Sequence, residues 1–211
     1  MSDRRISGKS GTDLTLEYYD RNSDIFAADT VNVRFTEVQD RFLGYLAPGS
    51  LILDFGCGSG RDSRYFLSKG YAVEACDGSA EMVRIASQTA GIPVKQMLFE
   101  ELEEEERYDG IFACSSILHV PFKKLPDILA RMEKAVKKGG VIYVSFKYGT
   151  FEGVRSGRYF TDLNEERLEK LLAEAAGGET PLRICERWIS GDVRPGREDE
   201  KWLNVILRRE Q

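Results

Sequence analysis

From Ser50 onward the chain alternates short apolar runs with helix-length amphipathic stretches, and this alternation restricts the fold more than any other feature. The runs are LILDF (51–55), YAVEACD (71–77), VKQML (94–98), YDGIFACSS (108–116) and GVIYVSF (140–146), with residues 61–69, 80–90 and 123–137 between them. Apolar runs of strand length bounded by Gly and Asp, joined by segments of helical spacing, describe βαβ units. Parallel strands joined in this way have two faces to bury, so helices are expected on both sides of one sheet. NEERLEKLLAEAA (164–176) predicts a further helix with Leu168, Leu171 and Leu172 on one side. LRICERWIS (182–190) and KWLNVILRR (201–209) predict a hairpin closing the sheet edge. Residues 13–46 read as helical, with Val38, Phe42 and Leu46 at helical spacing, and are expected to cap the site. A chain of 211 residues fits one domain with a substantial core.

Several functional classes are disfavoured by composition. A formal charge of -5 argues against nucleic acid held by bulk charge. No run of 18 apolar residues exists and the first twenty residues lack the apolar stretch of a signal peptide, so a cytoplasmic protein without a membrane partner is expected. Cys57, Cys76, Cys114 and Cys185 are irregularly spaced, which is neither a metal pattern nor a disulfide framework, and with His119 as the one histidine no metal is expected. The acidic run EELEEEER (100–107) reads as a solvated face, and Gly177, Gly178 and RPGRE (194–198) mark loops.

The chemistry concentrates where the first strand ends. Gly56 to Gly60 form the turn at its carboxyl end and Arg61 opens the next helix, which is where an open α/β sheet binds ligands. A bare strand-to-helix turn is the alternative. The spacing is GxGxG, whereas the dinucleotide fingerprint wants GxGxxG for a pyrophosphate. Asp54 just before the loop suits a ligand ammonium, reached directly or through water. Asp77 ends the second strand, where a carboxylate can accept hydrogen bonds from both ribose hydroxyls. Together they point to a nucleoside carrying an amino acid.

LDFGCGSGRDSRYF, VEACDGSAEMVRIA, YDGIFACSSILHVP and KKGGVIYVSFK resemble, in order and spacing, the nucleotide-binding motifs of class I S-adenosylmethionine-dependent methyltransferases over roughly residues 50–147. The variant GCGSGRDSRYF looks most like the tellurite-resistance-type small-molecule members. The resemblance implies S-adenosyl-L-methionine as cofactor and a Rossmann-like, doubly wound seven-stranded sheet whose last strand is antiparallel. On this reading residues 1–48 are the helical cap, 49–147 the cofactor-binding core, and 148–211 the acceptor-side insertion, helix and closing strands. Asp54, Gly56, Cys57, Gly58 and Gly60 would surround the methionine moiety and Asp77 the ribose. Gly78, Ser79 and Met82 would line the adenosine side, with core packing the alternative for Met82. Leu98 and Phe99 stand where many family members place an acid for the adenine amine, which leaves that contact apolar or to Glu100 or Glu101. Cys114 and Ser115 fall where the family lines the sulfonium.

Methyl transfer from a sulfonium mainly needs an aligned nucleophile and excluded water. A hydroxyl or amine acceptor also benefits from a base, for which His119 is the candidate; a structural histidine before Pro121 is the alternative. The cysteines read as small buried residues rather than nucleophiles. No Pro-Cys or NPPY-like motif follows the fourth strand, which lowers the case for DNA methylation. Tyr19 and Phe26 are expected to close over the cofactor. Tyr148, Arg158, Tyr159 and Arg194 are expected around the acceptor, with Lys147 and Arg155 as further cations able to orient an anion. The expected function is transfer to a small-molecule acceptor by a monomer or homodimer. RNA or protein methylation, or a non-catalytic cofactor-binding module, are the rivals.

Overall fold

The computed structural model describes residues 9–175, 182–194, 196, 197 and 199–210. A seven-stranded sheet of order β3-β2-β1-β4-β5-β9-β8 forms its centre. Its strands are β1 (Leu51–Phe55), β2 (Ala72–Asp77), β3 (Val94–Gln96), β4 (Tyr108–Ala113), β5 (Val136–Lys147), β8 (Leu182–Gly191) and β9 (Lys201–Arg209). β1 to β5 pair in parallel. The last strand, β9, enters antiparallel between β5 and β8, so β8 forms the outer edge.

Side-chain alternation along the strands separates two cores. Leu53, Phe55, Ile142 and Val144 point to the face covered by α5 (Leu125–Ala135) and α6 (Glu165–Ala175), through Ile128, Leu129, Met132, Leu168 and Leu171. Ile52, Phe112, Val141 and Tyr143 point the other way, against α2 (Thr36–Leu43) and α3 (Arg61–Ser68). There Phe112 stacks on Tyr143 at 4.5 Å between ring centroids and meets Phe42 at 5.1 Å and Phe66 at 5.0 Å. α4 (Ala80–Ala90) packs beside α3 on that second face.

The expected helical stretch 13–46 is broken. α1 spans Gly11–Thr30 and bends at Asn22, whose Nδ2 donates to the Tyr18 carbonyl; α2 starts only at Thr36. α1 is closed at its start by a reciprocal capping box between Ser10 and Asp13. It lacks an apolar stripe: its buried residues are Thr15, Ser23 and Thr30, and hydrogen bonds dock it. Tyr159 N donates to Thr15 Oγ1, Ser79 Oγ to Asp20 and Thr30 Oγ1 to Ser59 Oγ. Between β5 and α6 lies a feature the sequence pattern did not show, the two-stranded hairpin of β6 (Glu152–Arg155) and β7 (Arg158–Thr161). Gly177 and Gly178 lie outside the described residues. Among the described residues no helix is long and apolar enough to cross a membrane.

Candidate active site

The sheet order reverses between β1 and β4, and at such a switch point the loops leave in opposite directions and open a crevice. A cleft lies there, walled by the loops after β1, β2, β3 and β4, the end of β5, the edge of β8 and β9, α1, and the β6–β7 hairpin. Of the residues singled out in the sequence, Tyr19, Phe26, Gly56, Cys57, Gly58, Asp77, Gly78, Met82, Leu98, Phe99, Cys114, Ser115, His119, Lys147, Arg158 and Arg194 line it.

The glycine loop makes room rather than offering amides. Gly56 N and Cys57 N both donate to the Cys76 carbonyl at 2.9 Å, and Gly58 N to Asp77 Oδ2 at 2.9 Å. Gly56 holds φ +81°, and a Cβ there would stand 2.5 Å from Ser116 Cβ, so the turn closes only with glycine. Asp77 also accepts from Ser79 N at 2.9 Å through its other oxygen. Each carboxylate oxygen retains accepting capacity for a diol, and burial raises the Asp77 pKa above its ordinary value. Met97, Leu98 and Phe99 continue the wall with apolar surface; Glu100 joins it, though its carboxylate accepts from Lys124 at 3.1 Å. Ser115 sits at φ +53°, a rare conformation for a non-glycine residue, with its N–H donating to Ser145 Oγ at 2.8 Å. Burial lifts the neighbouring Cys114 thiol to about 12, which leaves it protonated and without nucleophilic character.

Six expected residues do not reach the cleft, among them Arg155, whose guanidinium is held by Asp162 at 3.0 and 2.7 Å. Asp54, on the Ile52 face of β1, lies under the loop, 2% exposed, accepting from Ser63 Oγ at 2.6 Å; burial raises its pKa. Gly60 turns against α4 instead. Ser79 caps α4, accepting from Met82 N while donating to Asp20. Tyr148 Oη donates outward to Glu165 at 2.9 Å, and Tyr159 Oη to Glu152 at 2.9 Å.

His119 is not a free base. Its Nδ1 lies 2.6 Å from the Tyr159 carbonyl oxygen, which can only accept, so Nδ1 carries the hydrogen. Burial depresses the pKa to about 3, so the ring is neutral and Nε2 accepts from Tyr19 Oη at 2.9 Å. Arg158 Nη1 donates to the same hydroxyl at 3.3 Å.

Sequence reasoning named Lys147, Arg158 and Arg194 on the far wall of the cleft but missed other groups there. Arg61 forks onto Asp62 at 2.9 and 2.8 Å and lies over Phe35 at 4.5 Å, while Gln39 donates to Asp62 at 2.6 Å. Asn204 bridges Ser190 and Tyr143 at the β8–β9 edge. The one local signal was Asp62 directly after Arg61 in GRDS.

Residues 52–140 match the family described as "Methyltransferase domain". The chain is 29% identical over 183 residues to an S-adenosyl-L-methionine-dependent Diels-Alderase of Talaromyces variabilis, covering 81% of this chain and 60% of that protein. It is 33% identical over 113 residues to a malonyl-[acyl-carrier protein] O-methyltransferase of Serratia marcescens, covering 52% of this chain and 44% of that protein. The chain thus spans about half the length of the curated relatives it matches. Among solved structures, a 1,6-didemethyltoxoflavin-N1-methyltransferase of Burkholderia thailandensis with bound S-adenosylhomocysteine superposes at TM-score 0.72 with 21% identity, over 95% of this chain and 87% of that one. TehB of Haemophilus influenzae gives 0.68 with 17% identity, over 90% and 67%.

Proposed function

We propose that this chain, whose residues 52–140 match a methyltransferase domain and whose motifs resemble those of the class I S-adenosylmethionine-dependent methyltransferases, moves a methyl group from that cofactor to a small-molecule acceptor held in the far half of the cleft. One observation carries this reading. A single cleft joins a carboxylate able to take a diol, Asp77, to an aromatic chamber closed by α1, where Tyr19 and Phe26 pack edge to face at 5.0 Å.

The residues present fit the cofactor. Asp77 would hold the ribose, Leu98 and Phe99 the adenine, and the loop from Gly56 to Gly58 the amino-acid portion, with Cys114 and Ser115 beside the sulfur. When bound, the cofactor supplies an electrophilic methyl group on a sulfonium. The chain's own part is orientation and exclusion of water, and orientation alone is able to supply several kcal/mol. Tyr19 is the positioned polar group on the acceptor side. With its hydrogen given to His119 Nε2 and one lone pair taken by Arg158 Nη1 at 3.3 Å, its oxygen keeps a second lone pair to accept from an acceptor O–H or N–H. An acceptor that is already anionic needs no base.

A second reading is favoured by the Talaromyces relative: the same cleft could hold the cofactor and shape another ligand for cyclisation without methyl transfer. Incubation with methyl-labelled cofactor and a panel of phenols, heterocycles, amines, thiols and carboxylic acids separates the two. Label appearing in an acceptor with matching S-adenosylhomocysteine is expected. A protein that binds the cofactor yet labels nothing across the panel contradicts methyl transfer.

A further inference from the structure

The charge lining the cleft is divided. At the ribose end stand Asp77 and Glu100, whereas at the other end, among the described residues, five cations face only Asp62 and Asp192, on a chain of net charge -5. Four of the five cations have carboxylate partners. Arg61 pairs with Asp62, Arg194 pairs with Asp192 at 2.8 Å through Nε, and Lys147 and Arg197 share Glu200.

Arg158 differs. Among the described residues it makes no ion pair; its Nη1 gives one long hydrogen bond to Tyr19 Oη, and its Nε is buried without any acceptor. Aromatic faces hold it in place, with Tyr18 at 4.5 Å, Phe160 at 5.1 Å and Tyr19 at 5.7 Å from the guanidinium carbon. Its neighbour across the hairpin turn, Arg155, is saturated by Asp162 at 3.0 and 2.7 Å, so no carboxylate is left there to neutralise Arg158. A partly desolvated guanidinium oriented by rings, with no counterion, presents a planar fork to the cleft, and the group that matches such a fork in two parallel hydrogen bonds is a carboxylate.

We propose that the acceptor is a planar aromatic or heteroaromatic molecule bearing one carboxylate, which Arg158 binds while Tyr19, Phe26, Phe35 and Phe160 wall the ring. The proposal rests on the acceptor chamber assigned above and adds the class of molecule that fills it. A monoanion is specified because, among the described residues, Arg158 is the one cation of the lining without an acid partner. A phosphate dianion would call for a second.

Calorimetric titration of benzoate, benzamide and phenyl phosphate tests this, on the protein alone and saturated with S-adenosylhomocysteine, in the wild type, Arg158→Gln and Arg158→Lys. The expected result is benzoate binding at least about tenfold tighter than benzamide. Arg158→Gln should abolish that preference and Arg158→Lys should restore part of it, as a charge without the fork. Equal binding of benzoate and benzamide, a preference that survives Arg158→Gln, or tighter binding of phenyl phosphate than of benzoate overturns the proposal. So does the absence of benzoate binding below about 10 mM. Should Arg158→Gln not fold, the wild-type ratio and Arg158→Lys decide. If S-adenosylhomocysteine does not bind but the Arg158-dependent preference is present, the carboxylate site stands and the methyl-transfer reading falls.

Discussion

His119 has both ring nitrogens engaged inside the protein, and that arrangement has a consequence for stability. Its folded-state pKa of about 3 lies below the ordinary value of 6.5, because burial disfavours the charged ring. The stabilisation is complete above pH 6.5 and is lost as pH falls from 6.5 toward 3, since the unfolded chain takes up the proton first. Asp54 and Asp77 work in the opposite direction: burial raises both, so their neutral forms favour the fold and stability declines as pH rises above 3.8. The difference between wild type and His119→Asn therefore isolates the histidine. Whatever the variant costs at pH 7.5, that cost should shrink by about 2 kcal/mol at pH 5, measured by urea unfolding. A cost independent of pH contradicts the buried neutral ring. At this scale Asp77 and the Gly56–Gly58 turn were legible because they sit at strand ends with fixed spacing. Asp54 was misjudged because spacing does not say whether the last polar residue of a strand faces the crevice or the helix beneath it. The Tyr19–His119–Arg158 contact joins residues 100 and 139 positions apart, beyond any local pattern.

Among the elements, the junction of α3 and α4 places the tightest demand on the glycine loop. Gly60 ends the loop at φ +77°, and a Cβ there would lie 2.9 Å from both Cα and the carbonyl oxygen of Ala86 in α4. Gly60→Ala should cost about 2 kcal/mol or more, from the left-handed conformation and the contact with backbone that cannot give way. Chemical denaturation reads this directly, and a loss under about 0.5 kcal/mol contradicts the close approach. The strands and core helices were legible since each carries its own period. α1 was legible as a helix but not in its docking, because Thr15, Asp20 and Thr30 hold it through hydrogen bonds that leave no apolar stripe. The β6–β7 hairpin escaped notice because its strands are only four residues each, too short to show a period of their own. Its one signal was Ser156-Gly157, both at positive φ, the pairing that tight hairpin turns prefer.

For the molecule as a whole, topology decides where chemistry can occur. The reversal of strand order between β1 and β4 opens one crevice, β9 fills the slot beside β5, and the β8–β9 edge brings Asp192, Arg194 and Asn204 to the acceptor side. Local propensity encodes the strands but not this order, so Asp62, Asp192 and Asn204 on the far wall came from the structure, while the cofactor half came from motif spacing and Arg158 and Arg194 from the segments that carry them. The central claim is that this crevice takes a sulfur nucleoside through Asp77. Calorimetric titration of S-adenosylhomocysteine tests it, with NAD as the comparison ligand and Asp77→Ala as the comparison protein. The predicted result is micromolar or tighter binding of S-adenosylhomocysteine and none of NAD, weakened by roughly 1 to 3 kcal/mol in Asp77→Ala. Affinity no better than millimolar, or an affinity unchanged by Asp77→Ala, contradicts it.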